Sequence, residues 1–250
     1  MTHILITFSP TGGTARVAEI LAAGIAHNWN TIDLLTDIQE ITLSAEDVCL
    51  VAVPSFGGRI PTISAERLRR IHGNGARVIL LCVYGNRAYE DTLSELQDVL
   101  EACGFVCIAA AAAIAEHSIL REFGTGRPDA EDREELTAFG AKIRERLEHP
   151  VAAPLSVPGI HSTYKPFQNT PFLPPESDLC INCGTCAVSC PVDAIGDMPY
   201  DVDPEKCLKC MRCAAVCPVG ARAMDSQMLS ALRERLAAVC STRKVNELFL

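Results

Sequence analysis

The sequence predicts a protein in two parts, a doubly wound α/β domain followed by a small domain rich in cysteine. Residues 3–147 alternate short apolar, β-branched segments with amphipathic ones, which is typical of a parallel sheet with helices on both faces. Eight of the 13 cysteines lie between residues 180 and 217, after a proline-rich segment. A chain of 250 residues is long enough for two separate domains.

The alternation predicts five strands joined by helices. The predicted strands cover residues 3–9, 31–35, 48–54, 76–84 and 105–114. The predicted helices cover residues 14–27, 61–71, 88–103 and 129–147, and residues 36–47 are expected to form a polar connection with one or two helical turns. Because strands joined by crossover helices run parallel, we expect a doubly wound, five-stranded parallel sheet. A final helix is predicted at residues 226–240, with Met228, Leu229, Leu232, Leu236 and Val239 on one side.

The first predicted strand leads directly into a loop of glycines and hydroxyl-bearing residues. The loop consists of Ser9, Pro10, Thr11, Gly12, Gly13 and Thr14. A helix follows, so backbone N–H groups and the helix dipole would favour an anion there. The loop lacks the lysine of a P-loop and does not match the dinucleotide pattern G-x-G-x-x-G. Its hydroxyls and amides instead suit a phosphate monoester.

This loop resembles the phosphate loop of flavodoxins, whose form (T/S)-x-T-G-x-T is matched by Ser9, Thr11, Gly12 and Thr14. The resemblance implies the strand order 2-1-3-4-5 and FMN as the cofactor, bound beyond the carboxyl ends of strands 1, 3 and 4. The loops after strands 3 and 4 supply the remaining predicted FMN contacts, which are Ser55, Phe56, Gly57, Gly58, Tyr84, Gly85 and Asn86. Phe56 and Tyr84 are candidates to flank the isoalloxazine ring, although either could belong to the core instead.

The glycines of the loop after strand 3 permit positive φ angles and a close approach of the backbone to the flavin. The resemblance further suggests that Gly57 responds to the redox state of the flavin. The loop after strand 5 brings Glu116, His117 and Ser118 to the same edge, although a single histidine is more often structural. Trp29, the only tryptophan, follows the first helix and is expected to be structural.

The cysteines form two runs of the spacing C-x2-C-x2-C-x3-C-P, repeated with a period of 27 residues. This is the bacterial ferredoxin pattern for two [4Fe-4S] clusters, in which the fourth cysteine of each run ligates the other cluster. The predicted ligand sets are Cys180, Cys183, Cys186 and Cys217 for one cluster, and Cys207, Cys210, Cys213 and Cys190 for the other. A zinc ribbon would instead show two separated C-x2-C pairs. The other cysteines, at positions 49, 82, 103, 107 and 240, lie in apolar segments and are expected to be buried.

Taken whole, the chain resembles the flavodoxin-ferredoxin fusion proteins, or flavoferredoxins, of anaerobic bacteria and archaea. The expected divisions are a flavodoxin-like domain at 1–149, a proline-rich linker at 150–176, a small α+β 2[4Fe-4S] ferredoxin domain at 177–225 and a helical extension at 226–250. The resemblance implies an electron-transfer protein that passes low-potential electrons between the clusters, FMN and redox partner proteins. The alternative is an FMN-dependent oxidoreductase that reduces a small substrate with electrons from the clusters, so enzymatic activity stays undecided.

Composition limits the partners. A net charge of −9 and a pI near 5.2 argue against nucleic acid. The longest stretch without charge or proline, residues 102–115, is too short to span a bilayer, and no secretory signal pattern is present, so a cytoplasmic location is expected. A homodimer, in which the clusters of one subunit serve the flavin of the other, is the expected arrangement if the two sites lie far apart within one chain.

Overall fold

The computed structural model describes residues 2–151, 153–166, 173–198 and 201–250. The strands are β1 (His3–Thr7), β2 (Asn30–Asp33), β3 (Ile41–Thr42), β4 (Val48–Pro54), β5 (Ile71–His72), β6 (Arg77–Tyr84), β7 (Val106–Ile114) and β8 (Glu247–Phe249). The helices are α1 (Gly13–Ile25), α2 (Thr62–Leu68), α3 (Thr92–Ala102), α4 (Ala130–Leu147), α5 (Thr185–Val188), α6 (Arg212–Ala215) and α7 (Ser226–Cys240).

The central sheet has the order β2-β1-β4-β6-β7-β8. Its first five strands are all parallel, so the predicted order 2-1-3-4-5 is confirmed. The sixth strand, β8, was not predicted. It comes from the C-terminus and pairs antiparallel with β7, with Ala111 opposite Leu248. A three-residue strand is too short to show a period-2 pattern, so no sequence pattern predicts it.

Helices cover both faces of the sheet and create two apolar cores. One core contains α1 and α4, where Val17, Leu21 and Leu136 are fully buried. These two helices approach closely at Gly24 and Gly140, since a Cβ on Gly140 would lie 2.6 Å from the Gly24 Cα. The larger core lies on the opposite face, under α2 and α3. The parallel strands are buried on both sides, as expected for doubly wound sheets.

Several local predictions are wrong. The helix predicted at 61–71 ends at Leu68, and Ile71 lies in β5 instead. Residues 36–47 contain no helical turn and include β3, which forms a small parallel pair with β5 through Ile41 and Ile71. The third helix begins at Thr92 rather than near residue 88, because residues 85–91 form an extended loop at the sheet edge. Cys103 is only half-buried, whereas the cysteines at 49, 82, 107 and 240 are buried as expected.

The part of the proline-rich segment at 153–166 lies along α3. Leu155 and Val157 are buried in the larger core. Gln97 donates to the Leu155 carbonyl at 3.0 Å, and the Ile160 N–H donates to Asp91 at 3.0 Å. These residues of the predicted linker therefore follow the surface of the α/β domain. Residues 167–172 of the same segment lie outside the described residues.

The C-terminal segment returns to the α/β domain after the cysteine runs. Leu229, Leu232 and Leu236 of α7 pack on Leu120 and Phe123 of the loop after β7, and Cys240 is buried with them. Val239, placed on the apolar side by the sequence, is 49% exposed. Within the described ranges, none of the helices combines the length and apolar character that a membrane crossing requires.

Candidate functional site

The eight clustered cysteines surround two partly open cavities. One cavity, named site A, is lined by Cys180, Cys183, Cys186 and Cys217. The other cavity, named site B, is lined by Cys190, Cys207, Cys210 and Cys213. The structure therefore brings together the same two sets of four that the spacing predicts as ligands, with the fourth cysteine of each run in the other run's cavity.

The 27-residue repeat extends to the backbone conformation. Asn182 and Lys209 have φ angles of 54° and 53°, and Gly184 and Met211 have φ angles of 73° and 63°. Each run then enters a four-residue helix, α5 or α6, that carries its third cysteine. Because non-glycine residues at positive φ are uncommon, the shared pattern indicates that both runs form the same tight loop.

The surroundings of the thiols suit iron-sulfur clusters. The N–H groups of Ala194 and Ala221 donate to the Sγ atoms of Cys190 and Cys217, at 3.3 and 3.2 Å. Burial raises the pKa of Cys210 to about 12 and that of Cys213 to about 11. Such thiols are protonated at neutral pH, so iron must displace their protons when a cluster assembles. Four soft sulfur donors with supporting N–H groups fit each cubane.

The two sites differ in their exposure. Cys183 of site A is exposed, whereas Cys210, its equivalent 27 residues later, is 9% exposed. Ile181 beside site A is 62% exposed, whereas its equivalent Leu208 packs against the core of the α/β domain. Site B is therefore the one that faces the α/β domain.

Two arginines fix this contact between the cluster sites and the α/β domain. Arg67 of α2 is buried and donates to the carbonyls of Leu34 and Pro191, at 2.7 and 2.8 Å. Arg212 of α6, which lies between two ligands of site B, donates to the Pro10 carbonyl at 3.3 Å. Pro10 belongs to the predicted phosphate loop, so site B lies directly beside that loop.

The phosphate loop has the geometry of an anion site at the start of α1. Gly12 has a φ angle of 87° and precedes the helix, and a Cβ added there would meet no atom within 4 Å. The Ser9 hydroxyl accepts from the Ala15 N–H at 2.9 Å. The N–H groups of Gly13 and Thr14 have no acceptor in the part of the chain that the structure describes. Free amides at a helix N-terminus, an exposed Thr11 and open space in front of them fit a phosphate.

The loop after β4 forms a tight turn beside this site. Phe56 and Arg59 pair through both backbone hydrogen bonds, at 2.9 and 3.3 Å, and Gly57 and Gly58 between them have φ angles of 63° and 86°. These angles define a two-residue turn that requires glycine. The exposed Gly57 has open space in front of it, whereas a Cβ on Gly58 would lie 2.2 Å from the Glu90 carboxylate. Phe56 itself is half-buried.

Arg59 holds this turn in place, a role that sequence reasoning missed. Its guanidinium binds Glu95 of α3 through two hydrogen bonds, at 2.7 and 2.6 Å. It also lies 4.7 Å from the centre of the Tyr164 ring and donates to the Lys165 carbonyl. The hydroxyls of Ser55 and Thr92 are 2.8 Å apart, which ties the start of the loop to α3 as well.

The loop after β6 is less available for a ligand than the sequence suggested. Tyr84 is 5% exposed and packs on Tyr89, with ring centres 5.3 Å apart, so it is a core residue. Burial raises the pKa of Tyr84 to about 12, so its hydroxyl is neutral at physiological pH. Asn86 directs its side chain to the C-terminal segment, donating to the carbonyls of Cys240 and Thr242 at 2.6 and 2.9 Å. Of this pair of tyrosines, only Tyr89 is partly exposed.

The loop after β7 is held by its own contacts. The Nδ1 atom of His117 accepts from the N–H groups of Ile119 and Leu120, at 3.2 and 3.1 Å. Burial lowers the pKa of His117, which keeps Nδ1 an acceptor. Gly85 permits this arrangement, since a Cβ there would lie 2.6 Å from the His117 ring. Trp29 is structural as well, because its indole N–H donates to the Ala26 carbonyl at the end of α1.

Fold and site together define a chain that joins a flavodoxin-like α/β domain to a ferredoxin-type domain. Residues 179–221 match the family Fer4_7, described as a 4Fe-4S dicluster domain, and this domain binds two [4Fe-4S] clusters. A search of curated proteins finds no significant match to the chain. The two parts support a redox role in electron transfer.

Solved structures similar to this chain include flavodoxins and an NADH:FMN oxidoreductase. Flavodoxin 1 from Bacillus cereus is 18% identical, with 60% of this chain and 100% of that chain covered and a TM-score of 0.45. A flavodoxin from the domain Archaea is 15% identical, with coverages of 60% and 100% and a TM-score of 0.42. The NADH:FMN oxidoreductase EMOB is 16% identical, with coverages of 59% and 90% and a TM-score of 0.41. The fold assignment rests on the strand order and register described above.

Proposed function

We propose that this protein transfers electrons between two [4Fe-4S] clusters, FMN bound to its α/β domain, and a separate redox protein. The observation that carries the proposal is the contact of Arg212 with Pro10, which joins a ligand loop of site B to the phosphate loop. Electron transfer between centres requires them to be close, and this contact supports a short path within one chain. A neighbouring subunit is then not needed to complete the path.

FMN supplies a centre that holds one or two electrons, which complements the one-electron clusters. The phosphate would be bound by the loop from Ser9 to Thr14, whose free amides and open front fit that group. The ring would be bound by the Phe56 to Arg59 turn, with Gly57 the residue whose backbone can approach it. The contacts of Arg59 with Glu95 keep that turn in one conformation before the cofactor binds.

The difference in exposure between the two cluster sites supports an order for the electron path, which runs from the external protein through site A and site B to FMN. Site A, with the exposed Cys183 and Ile181, would exchange electrons with the external protein. Site B, covered by the α/β domain, would exchange electrons with FMN. The ligand sets proposed here are those that line each cavity.

Anaerobic reconstitution of the full chain with iron, sulfide and FMN tests the proposal. We expect about eight irons and one FMN for each chain, and rapid equilibration of electrons between clusters and flavin in a stopped-flow experiment with a one-electron reductant. Flavin and clusters that fill independently, with no exchange on the timescale of reduction, would contradict it. Direct reduction of the flavin by NADH or NADPH would favour the oxidoreductase alternative.

A further inference from the structure

The phosphate loop has little positive charge of its own. None of the residues from Ser9 to Thr14 carries a charge. The first turn of α1 has no acidic residue that would repel an anion. Arg16, one turn into the helix, is exposed. Burial opposes ionisation of the nearby Glu116, but a hydrogen bond from Arg121, with a smaller contribution from the charge of Arg16, holds the pKa of Glu116 below its ordinary value. A phosphate monoester carries close to two negative charges at neutral pH. Amides alone would have to balance them.

Arg212 brings a guanidinium to this loop from the dicluster domain. One terminal nitrogen donates to the Pro10 carbonyl at 3.3 Å. Its Nε atom is buried and has no hydrogen-bond partner among the described residues. A buried donor without an acceptor is costly, and a guanidinium presents several donors in one plane, which suits a phosphate.

The repeat indicates that this arginine does not serve cluster binding. Its equivalent 27 residues earlier is Thr185, whose hydroxyl lies 3.3 Å from the Cys183 Sγ at site A. The two cysteine loops share their backbone conformation, so the loop itself does not require arginine at this position. The charge is present only in the half of the dicluster domain that faces the phosphate loop.

We propose that Arg212 binds the phosphate of FMN, so that the flavin site is completed by the dicluster domain. This inference rests on the proposed function, since it takes FMN as the ligand of the loop. The phosphate would receive hydrogen bonds from the loop amides and from the terminal guanidinium nitrogens of Arg212, one of which already lies at the Pro10 carbonyl. Charge-assisted hydrogen bonds of this kind are roughly twice as strong as neutral ones. The dicluster domain then contributes one charged side chain to the flavin site.

The test compares two flavins that differ only in the phosphate. Full-length protein with assembled clusters and without flavin is titrated with FMN and, separately, with riboflavin, and each Kd is measured by quenching of flavin fluorescence. We expect R212Q to raise the Kd for FMN about tenfold or more, and to change the Kd for riboflavin little. R212K, which retains the charge, should lie between the wild type and R212Q. Cluster absorbance reports whether each variant is assembled.

Arg67 provides the matched control, because it also bridges the two domains but has no contact with the phosphate loop among the described residues. R67Q should leave the ratio of the riboflavin Kd to the FMN Kd unchanged. The proposal is overturned if R212Q keeps the wild-type ratio, or if R67Q lowers the ratio as much as R212Q does. A wild-type protein that binds no FMN would instead refute the proposed function, and the inference with it.

Discussion

Replacing Asp132 with asparagine should destabilise the α/β domain more than any exposed charge substitution. Asp132 lies in the first turn of α4, and its side chain is 1% exposed. It binds the buried Arg127 through two hydrogen bonds, one of them 2.8 Å long, and accepts from Asn246 at 3.0 Å. Because Asn246 also accepts from the Ile114 N–H at 3.0 Å, this network fixes the C-terminal segment to the sheet.

The expected loss of folding free energy follows from leaving the buried guanidinium of Arg127 without its counter-charge. Removing one partner of a buried ion pair costs about 3–5 kcal/mol. Since asparagine retains one acceptor oxygen, D132N should lie near the lower limit, about 3 kcal/mol. With an m-value of about 2 kcal/mol/M, the urea midpoint should fall by about 1.5 M. Trp29, the single tryptophan, lies in the α/β domain and reports its unfolding by fluorescence in the full chain.

The same network predicts a dependence on pH. Burial opposes ionisation of Asp132, but its hydrogen bond from Arg127 and the neighbouring N–H groups hold its pKa below the ordinary 3.8. A lowered pKa in the folded state stabilises the fold above the unfolded pKa, and this contribution disappears as the pH falls below it. The stability difference between wild type and D132N should therefore shrink below about pH 4.

Asp37 supplies the matched control, because the same substitution there removes only an exposed ion pair. Asp37 pairs with Arg70 at 2.5 Å, and the two side chains are 65% and 44% exposed. An exposed pair contributes about 0–1 kcal/mol, so D37N should shift the urea midpoint by less than about 0.5 M. Equal shifts for D37N and D132N, or a loss below about 1 kcal/mol for D132N, would show that the buried network is not what stabilises this part of the fold.

Two further predictions concern the sites themselves. After anaerobic cluster assembly, C190A should leave the cysteines at 207, 210 and 213 open to alkylation, and C217A should leave those at 180, 183 and 186 open. Mass spectrometry maps the alkylated cysteines. Alkylation of the other cysteines in the mutated run would contradict the crossed ligand sets. G58A should cost about 1–3 kcal/mol of stability, because its Cβ would lie 2.2 Å from Glu90, and it should cost more than G57A, whose Cβ has open space. Denaturant midpoints that rank the two glycines in the opposite order would refute this.

Sequence reasoning worked best where chemistry requires a fixed local spacing. The cysteine runs and the loop from Ser9 to Thr14 are contiguous patterns, because a cluster and a helix N-terminus are each built from neighbouring residues. The long buried strands were equally visible, and β4 has the predicted bounds, Val48–Pro54.

Contacts between distant segments could not be predicted in this way. Arg59 meets Lys165 across 106 residues, and Arg212 meets Pro10 across 202 residues. No pattern in the sequence indicates which arginine reaches which carbonyl. Tyr84 was ambiguous for a related reason, since its burial depends on Tyr89 and on the C-terminal strand, which was itself not predicted.

The strand β8 changes how the dicluster domain is attached. The segment at 153–166 is fixed along α3 before the cysteine runs, and α7 and β8 are fixed to the loop after β7 and to β7 itself after them. The domain is therefore tethered at both ends rather than hanging from a single linker. Two tethers keep the effective concentration of the cluster sites at the phosphate loop high at any protein concentration. A proteolytic cut in the linker should leave the two domains joined, and the proposed electron exchange between them intact.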